Sequence, residues 1–111
     1  MEAVKSERMK KMLSWIDIHY TEKITLDDIA RAGQLSRSEC SRYFKRMLKA
    51  TPLNDVIDYR LQKSLLLLKQ DGSNVTELAY QVGFNSTSYF IERFKKSMNM
   101  TPRAFKKLKN E

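Results

Sequence analysis

The sequence predicts an all-α fold of about seven helices, arranged as two helix-turn-helix subdomains joined by a long linker helix. Three observations carry that expectation. Only 3 Gly and 2 Pro occur in 111 residues, which leaves little room for β-turns. Apolar residues recur at helical spacing behind clear helix-start signals. The second half of the chain repeats the first. The expected organisation is an N-terminal subdomain over 1–51, a linker helix over 52–70 and a C-terminal subdomain over 71–111.

The first helix is expected from about Val4 to His19 or Tyr20. Met9, Met12, Leu13, Ile16 and Tyr20 fall on one stripe with Trp15 beside it, and Lys10, Lys11, Ser14 and Asp17 face solvent. Thr25 and Asp28 have the spacing of a capping box, so a second helix follows with Leu26, Ile29 and Ala30 inward. Gly33 to Leu35 form the turn. Ser36 and Glu39 make a second capping box at the start of the third helix. That helix buries Cys40, Tyr43, Phe44 and Met47 and shows Ser38, Arg42, Lys45 and Lys49, with Ser41 at the flank.

Thr51-Pro52 opens the fourth helix, because proline suits the first helical position. Its stripe is Leu53, Val56, Ile57, Leu61, Ser64, Leu65 and Leu68, and Asp71-Gly72-Ser73 ends it. Asn74 caps the fifth helix, whose apolar stripe is Val75, Leu78, Ala79 and Val82. Gly83 stops that helix, Phe84 is a buried anchor, and Asn85 or Ser86 caps the sixth. The sixth helix carries Phe90, Phe94 and Met98 on one face and Ser88, Glu92 and Lys95 on the other. Thr101-Pro102 starts the last helix, anchored by Phe105 and Leu108. Lys106, Lys107 and Lys109 in its last turns suit the macrodipole.

The repeat is specific. At a shift of 50 (86 − 36), Ser36 matches Ser86, Ser38 matches Ser88, Cys40 matches Phe90, Phe44-Lys45 matches Phe94-Lys95, and Thr51-Pro52 matches Thr101-Pro102. Upstream of the turn the shift is 49 (84 − 35): Leu26 with Val75, Ile29 with Leu78, Ala30 with Ala79, Leu35 with Phe84. The second turn is therefore one residue longer. Two matched units joined by one long helix fit a pair of helix-turn-helix elements better than a solenoid.

The formal net charge is +8, from 21 Lys+Arg against 13 Asp+Glu. That balance favours a polyanionic partner, nucleic acid before anionic membrane. The longest run of leucines, Leu65–Leu68, is far too short to span a bilayer, and the polar N-terminus carries no signal peptide. Cys40 is the only cysteine, so no internal disulfide forms and a reducing cytoplasm is the expected compartment. Cys40 falls on the inward stripe and reads as a small core hydrophobe. His19 is the only histidine, has no ligating partners in sequence, and reads as a partly exposed helix-end residue. No paired carboxylates in apolar context, Gly-rich phosphate loop, His-Cys cluster or Ser-His-Asp set can be placed. No enzyme, metal or cofactor is therefore expected.

The run Ala79–Val82-Gly83-Phe84, then Ser88-Tyr89-Phe90, Phe94-Lys95-Lys96 and Thr101-Pro102 resembles the signature of the AraC/XylS family of bacterial transcription regulators. With the second copy, the resemblance covers nearly the whole chain, from about Met9 to Lys107. It implies a homeodomain-like, C-terminal-type DNA-binding domain with two helix-turn-helix units, acting as a sequence-specific regulator and more commonly an activator. The partner implied is double-stranded DNA, with the third and sixth helices in successive major-groove segments. A linker helix of about 17 residues at ~1.5 Å per residue spans roughly 26 Å, compatible with recognition helices about one DNA turn, ~34 Å, apart. The site expected is asymmetric and roughly 20 bp, because the two halves differ.

Carried over by position, the family's base-contacting residues fall on Ser38, Ser41 and Arg42 and on Thr87, Ser88, Tyr89 and Glu92. Arg42 can bond guanine O6 and N7 together; its alternatives are a phosphate contact or a pair with Glu39. Glu92 departs from the family, which often places Arg there. It can accept from cytosine N4, or pair with Lys95 or Lys96. Tyr89 packs on the backbone or a thymine methyl, or joins the core. Lys45, Arg46, Lys95, Lys96, Arg103 and Lys106 are phosphate candidates, and the helix starts at Arg37 and Thr87 can add backbone N–H bonds. Lys49 and Asn99 stand where the family often has Gly, so a less tight exit from the third helix is expected. Ser64 for Ala and Phe105-Lys106 for Tyr-Arg are mild departures.

The competing reading is a protein-interaction module that docks RNA polymerase or a partner regulator and touches DNA only non-specifically. Exposed basic helices fit both; the repeated spacing fits the first. Many relatives carry this unit behind a sensor or dimerisation domain. Some DNA-repair methyltransferases carry a similar unit, but they need a cysteine cluster that a single cysteine cannot supply.

Overall fold

Each turn between paired helices closes by the same backbone bonds. In the first, the Leu35 and Gln34 N–H groups donate to the Ala30 and Arg31 carbonyls at 2.9 and 3.0 Å. In the second, Phe84 and Gly83 donate to Ala79 and Tyr80, both at 3.0 Å. These are Schellman motifs, which require a left-handed residue just past the helix. Gly83 fills that place at φ 104° and Gln34 at φ 57°. Gly33, the obvious glycine of the first turn, instead has φ −95°. Its value is space: a Cβ there would lie 2.7 Å from Met12 Cγ.

The computed structural model describes residues 2–108, with side chains from Glu7 onward. Lys109, the last of the basic residues expected near the C-terminus, lies outside them. Among the described residues there are seven helices and no strand: α1 Glu2–His19, α2 Leu26–Ala32, α3 Arg37–Leu48, α4 Pro52–Leu68, α5 Val75–Gln81, α6 Thr87–Met98 and α7 Pro102–Leu108. None of them is long and apolar enough to cross a membrane. The chain divides into two compact units, Met1–Ile57 and Asp58–Glu111, so the division falls inside α4.

The first unit is built on α1–α3. Met9, Met12 and Ile16 of α1 meet Ile29 and Ala30 of α2 and Cys40, Tyr43 and Phe44 of α3 in its core. Thr25 and Ser36 both form complete capping boxes, with Asp28 and Glu39 reaching back to the cap N–H groups at 3.0 and 2.9 Å. Cys40 is fully buried, its Sγ 3.9 Å from Met12 Sδ, and burial pushes its thiol up to about 11. His19 is half-buried at the helix end, stacked on Trp15 with centroids 4.3 Å apart and bonded to Glu22 at 2.9 Å.

The second unit packs Leu61 and Leu68 of α4, Leu78 and Ala79 of α5, Val82, Phe84, and Phe90 and Phe94 of α6. Its aromatic rings form a chain: Phe84–Phe90 at 5.2 Å, Phe90–Phe94 at 5.7 Å and Phe94–Phe105 at 5.9 Å. Tilted and edge contacts of this kind stabilise beyond the area they bury. Ser64 is buried and satisfied, donating to the Leu61 carbonyl at 2.6 Å. Thr51 and Thr101 cap α4 and α7, accepting from Asn54 and Ala104 N–H, with Pro52 and Pro102 in first place. Ser86, not Asn85, caps α6.

Three expectations about packing are overturned. Met47, Leu53 and Leu108, read as inward, are 39%, 43% and 48% exposed. Periodicity assigns a face but not how far along a helix its neighbours reach, and all three lie in a first or last turn. The looser exit expected after α3 is also absent. Lys49 adopts φ 59°, ψ 28° and donates to the Lys45 carbonyl, matching Asn99 at φ 60°, ψ 23° with Lys95.

Left-handed backbone is unfavourable for side chains with a Cβ, and glycine removes that cost while adding unfolded-state entropy. Lys49→Gly and Gln34→Gly are each expected to stabilise the first unit by about 0.5–1 kcal/mol, read as a raised urea midpoint. Trp15, the only tryptophan, reports that unit by fluorescence. For Cys40, thiol-reagent labelling should be slow in the native protein and accelerate only with unfolding. Rapid native labelling would contradict its burial.

Candidate nucleic-acid interface

α3 is held from within by Cys40, Tyr43 and Phe44, so its other side is committed to solvent. Ser38, Arg42, Lys45 and Arg46 are exposed on it, and Ser41 is half-buried at the flank. Arg42, Lys45 and Arg46 together line a shallow basic depression. Arg46 lies over the Tyr43 ring at 5.8 Å, which steadies the guanidinium. Arg37 at the helix start is 3.6 Å from Asp27 of α2, a tie between the paired helices. No Arg42–Glu39 ion pair is formed, and the Glu39 carboxylate accepts instead from the Ser36 N–H. Arg42 carries no ion pair among the described residues.

The cap hydrogen bonds have an electrostatic consequence. The backbone and hydroxyl of Ser36 stabilise ionised Glu39 and hold its carboxyl below the ordinary value, with Arg42 and Arg8 assisting weakly. Thr25 does the same for Asp28. Arg8 of α1 donates from Nη1 to the Gln34 carbonyl at 3.1 Å, bracing the turn that positions α3. Nothing in the local sequence around Arg8 signals that contact, which joins residues 26 apart.

α6 is anchored through Phe90 and Phe94. Ser88, Glu92, Lys95 and Lys96 are exposed, and Thr87 is half-buried at the N-terminus. Glu92 forms no ion pair with Lys95 or Lys96 among the described residues, so that alternative is not realised. Tyr89 does not join the core: it is 38% exposed, with its ring 6.1 Å from Phe84. Arg93, which the sequence reading passed over, donates from Nη1 to Tyr89 Oη at 3.2 Å. The spacing of four residues between Tyr89 and Arg93 was the available signal. In α7, Arg103 is exposed, whereas half-buried Lys106 donates to the Ser73 carbonyl and ties α7 to the loop before α5. The described residues hold no group of three or more His, Cys, Asp or Glu able to bind a metal.

Each unit is thus a tight helix pair that presents the polar face of its second, 12-residue helix, the build of a helix-turn-helix DNA-binding domain. The helix-turn-helix domain family model matches residues 29–108, and the chain belongs to this family in its AraC-type form. It is 70% identical over 107 residues to the uncharacterized HTH-type transcriptional regulator YdeC of Bacillus subtilis, covering 96% of this chain and 37% of that protein. An AraC-type transcriptional regulator structure from Chromobacterium violaceum superposes with a TM-score of 0.88 at 25% identity, covering 96% of both chains. The DNA-binding domain of AdpA, solved in complex with a target DNA, gives a TM-score of 0.83 at 23% identity, with 89% of each chain covered. The chain spans about a third to three fifths of the curated relatives it matches first.

The lowered carboxyls of Asp28 and Glu39 stabilise the first unit above their ordinary values, 3.8 and 4.5, and that contribution is lost as pH falls through the lower folded values. Urea midpoints read by Trp15 should therefore fall through this acid range. Glu39→Gln and Asp28→Asn keep an oxygen that can accept the cap N–H but do not titrate, so the double variant should show a flatter acid limb.

Proposed function

We propose that this chain is the sequence-specific double-stranded DNA-binding unit of a transcription regulator, placing α3 and α6 in successive major-groove segments. The observation that carries the reading is the shared build of those helices. Each is anchored by buried side chains and leaves a polar face whose groove-directed residues are not consumed by ion pairs. The major groove admits an α-helix and offers each base pair a distinct pattern of donors and acceptors. Ser38, Ser41 and Arg42 read one segment; Thr87, Ser88, Tyr89 and Glu92 read the other. Arg37, Lys45, Arg46, Lys95, Lys96 and Arg103 hold the phosphates, with Lys106 at the margin because one of its donors is already engaged. Phosphate contacts supply affinity and salt dependence without sequence information.

The site is asymmetric, because Arg42 faces one segment and its repeat partner Glu92 (42 + 50) the other. A cationic fork and an acceptor-only carboxylate cannot favour the same base edge. Activation of transcription belongs to the same reading. It follows the family resemblance.

Selection from a random duplex library at fixed, near-physiological salt tests this directly. A bipartite motif with two blocks about one helical turn apart is the expected result. Non-specific binding that vanishes steeply with salt would instead favour the interaction-module alternative. Arg42→Ala should cost ~1–3 kcal/mol on the selected site and relax one base position. Lys95→Ala should weaken all sequences alike and lower the salt slope by about 1. Unchanged base preference in Arg42→Ala would remove α3's assignment to the groove.

A further inference from the structure

The third residue of the recognition helix is where the two units part. In α3 it is Glu39, turned back on the Ser36 N–H in a capping box. In α6 the matching residue is Tyr89 (39 + 50). Its backbone N–H still bonds Ser86 Oγ at 3.2 Å, but a phenol cannot complete the box as a carboxylate does. The ring extends outward and is held by two neighbours. Phe84 lies 6.1 Å away, centroid to centroid. The Arg93 guanidinium sits 5.9 Å from the ring centroid and bonds the hydroxyl at 3.2 Å. The repeat partner of Arg93 is Tyr43 (93 − 50), which is buried, so the first unit has no counterpart of this pair.

The bond from Arg93 decides what Tyr89 can offer. A phenol has one O–H to donate and lone pairs to accept, whereas a guanidinium only donates. With Nη1 donating to Oη, the phenolic hydrogen must seek an acceptor elsewhere, and the exposed side of the ring faces solvent. Glu92, three residues on, is exposed and accepts only. α6 therefore presents a phenolic O–H, free to donate, beside an acceptor. A major-groove edge with an acceptor beside a donor is its complement: adenine N7 with N6–H, or the guanine O6 and cytosine N4–H of one pair.

We propose that Arg93 is a positioning residue that sets base preference through Tyr89, by holding the ring and fixing its hydroxyl as a donor to a base edge. The proposal rests on the reading of α6 as a recognition helix. Arg93 and Tyr89 act as one unit, and removing either disables the same contact.

The test uses the whole chain. The wild-type preferred duplex is selected first; Arg93→Met, Tyr89→Phe and the double variant are then put through the same selection at the same salt. Each single variant should relax the same base pair by roughly fivefold or more, equivalent to ~1 kcal/mol. The double variant should do no more than either alone. Arg93→Lys retains the charge but not the planar fork, and should leave the salt slope intact without restoring the preference. Uniform loss across sequences in Arg93→Met, with a salt slope lowered by about 1, would make Arg93 a phosphate contact and overturn the proposal. Additive effects, or relaxation at two different positions, would also overturn it. Tyr89→Phe removes one exposed oxygen, and an unchanged base preference in it overturns the proposal even if Arg93→Met unfolds, in which case Arg93→Lys carries the test of Arg93. A wild-type chain that selects no motif would defeat the DNA reading itself. A motif that all variants retain would defeat the Tyr89 hydroxyl contact and the role of Arg93 together, and leave the DNA reading standing.

Discussion

The turn between paired helices is the constraint on which each unit depends. Two backbone bonds and one left-handed residue reverse the chain within a few positions. That reversal carries Leu35 or Phe84 toward the core and delivers Ser36 or Ser86 directly into the cap of the next helix. Without it, the buried faces of the two helices could not meet, and the polar face of the second would have no fixed direction. The second turn contains one more residue, Asn85, yet preserves both bonds. Insertion is tolerated after the left-handed residue and before the cap, where no bond of the motif has to stretch.

The two units fill the space beside this turn in opposite ways. In the first, Gly33 and Cys40 are small, and Met12 of α1 occupies the room they leave. In the second, the matching places are Val82 and Phe90, both fully buried, and the core is completed by a chain of aromatic rings. Close packing demands that volume be conserved, not that residues be. The repeat is therefore visible in caps and turn positions but largely erased in the cores. Met12 is an adaptable filler for an irregular gap, and Cys40 persists there as a packing residue with no thiolate chemistry.

Much of this was legible in the sequence because it is local. Capping boxes at Thr25 and Ser36, caps at Asn74 and Ser86, and Thr-Pro starts at Pro52 and Pro102 involve residues three or fewer apart, and all formed. Helical periodicity placed Phe44, Phe90 and Phe94 in the core correctly. What failed needed information beyond one helix. The first turn falls at Gly33–Leu35 as its sequence predicts, but no local signal marks Gln34 for the left-handed place or shows that Gly33 is small because Met12 approaches from a distant helix. Met47, Leu53 and Leu108 fit their stripes, and their exposure depends on where neighbouring elements end. At the candidate interface the exposure of Ser38, Arg42, Ser88 and Glu92 followed from their faces. The Tyr89–Arg93 bond did not, because it depends on the rotamers of two long side chains one turn apart, which periodicity leaves open.

The same position illustrates a conflict between holding a helix and using it. A carboxylate at the third place completes a capping box and adds favourable charge at the helix start. Glu39 does both in α3, and one of its carboxylate oxygens is committed to the Ser36 N–H. Tyr89 gives up that reciprocal bond, and α6 has no acidic residue in its first turn. Phe84, Phe90, Phe94 and Phe105 pack in sequence along α6. α3 is held by Cys40, Tyr43 and Phe44 and keeps its box. The two recognition helices therefore differ together at their starts and in their cores: a closed capping box over Met12 and Cys40 in α3, an open cap beside a chain of rings in α6.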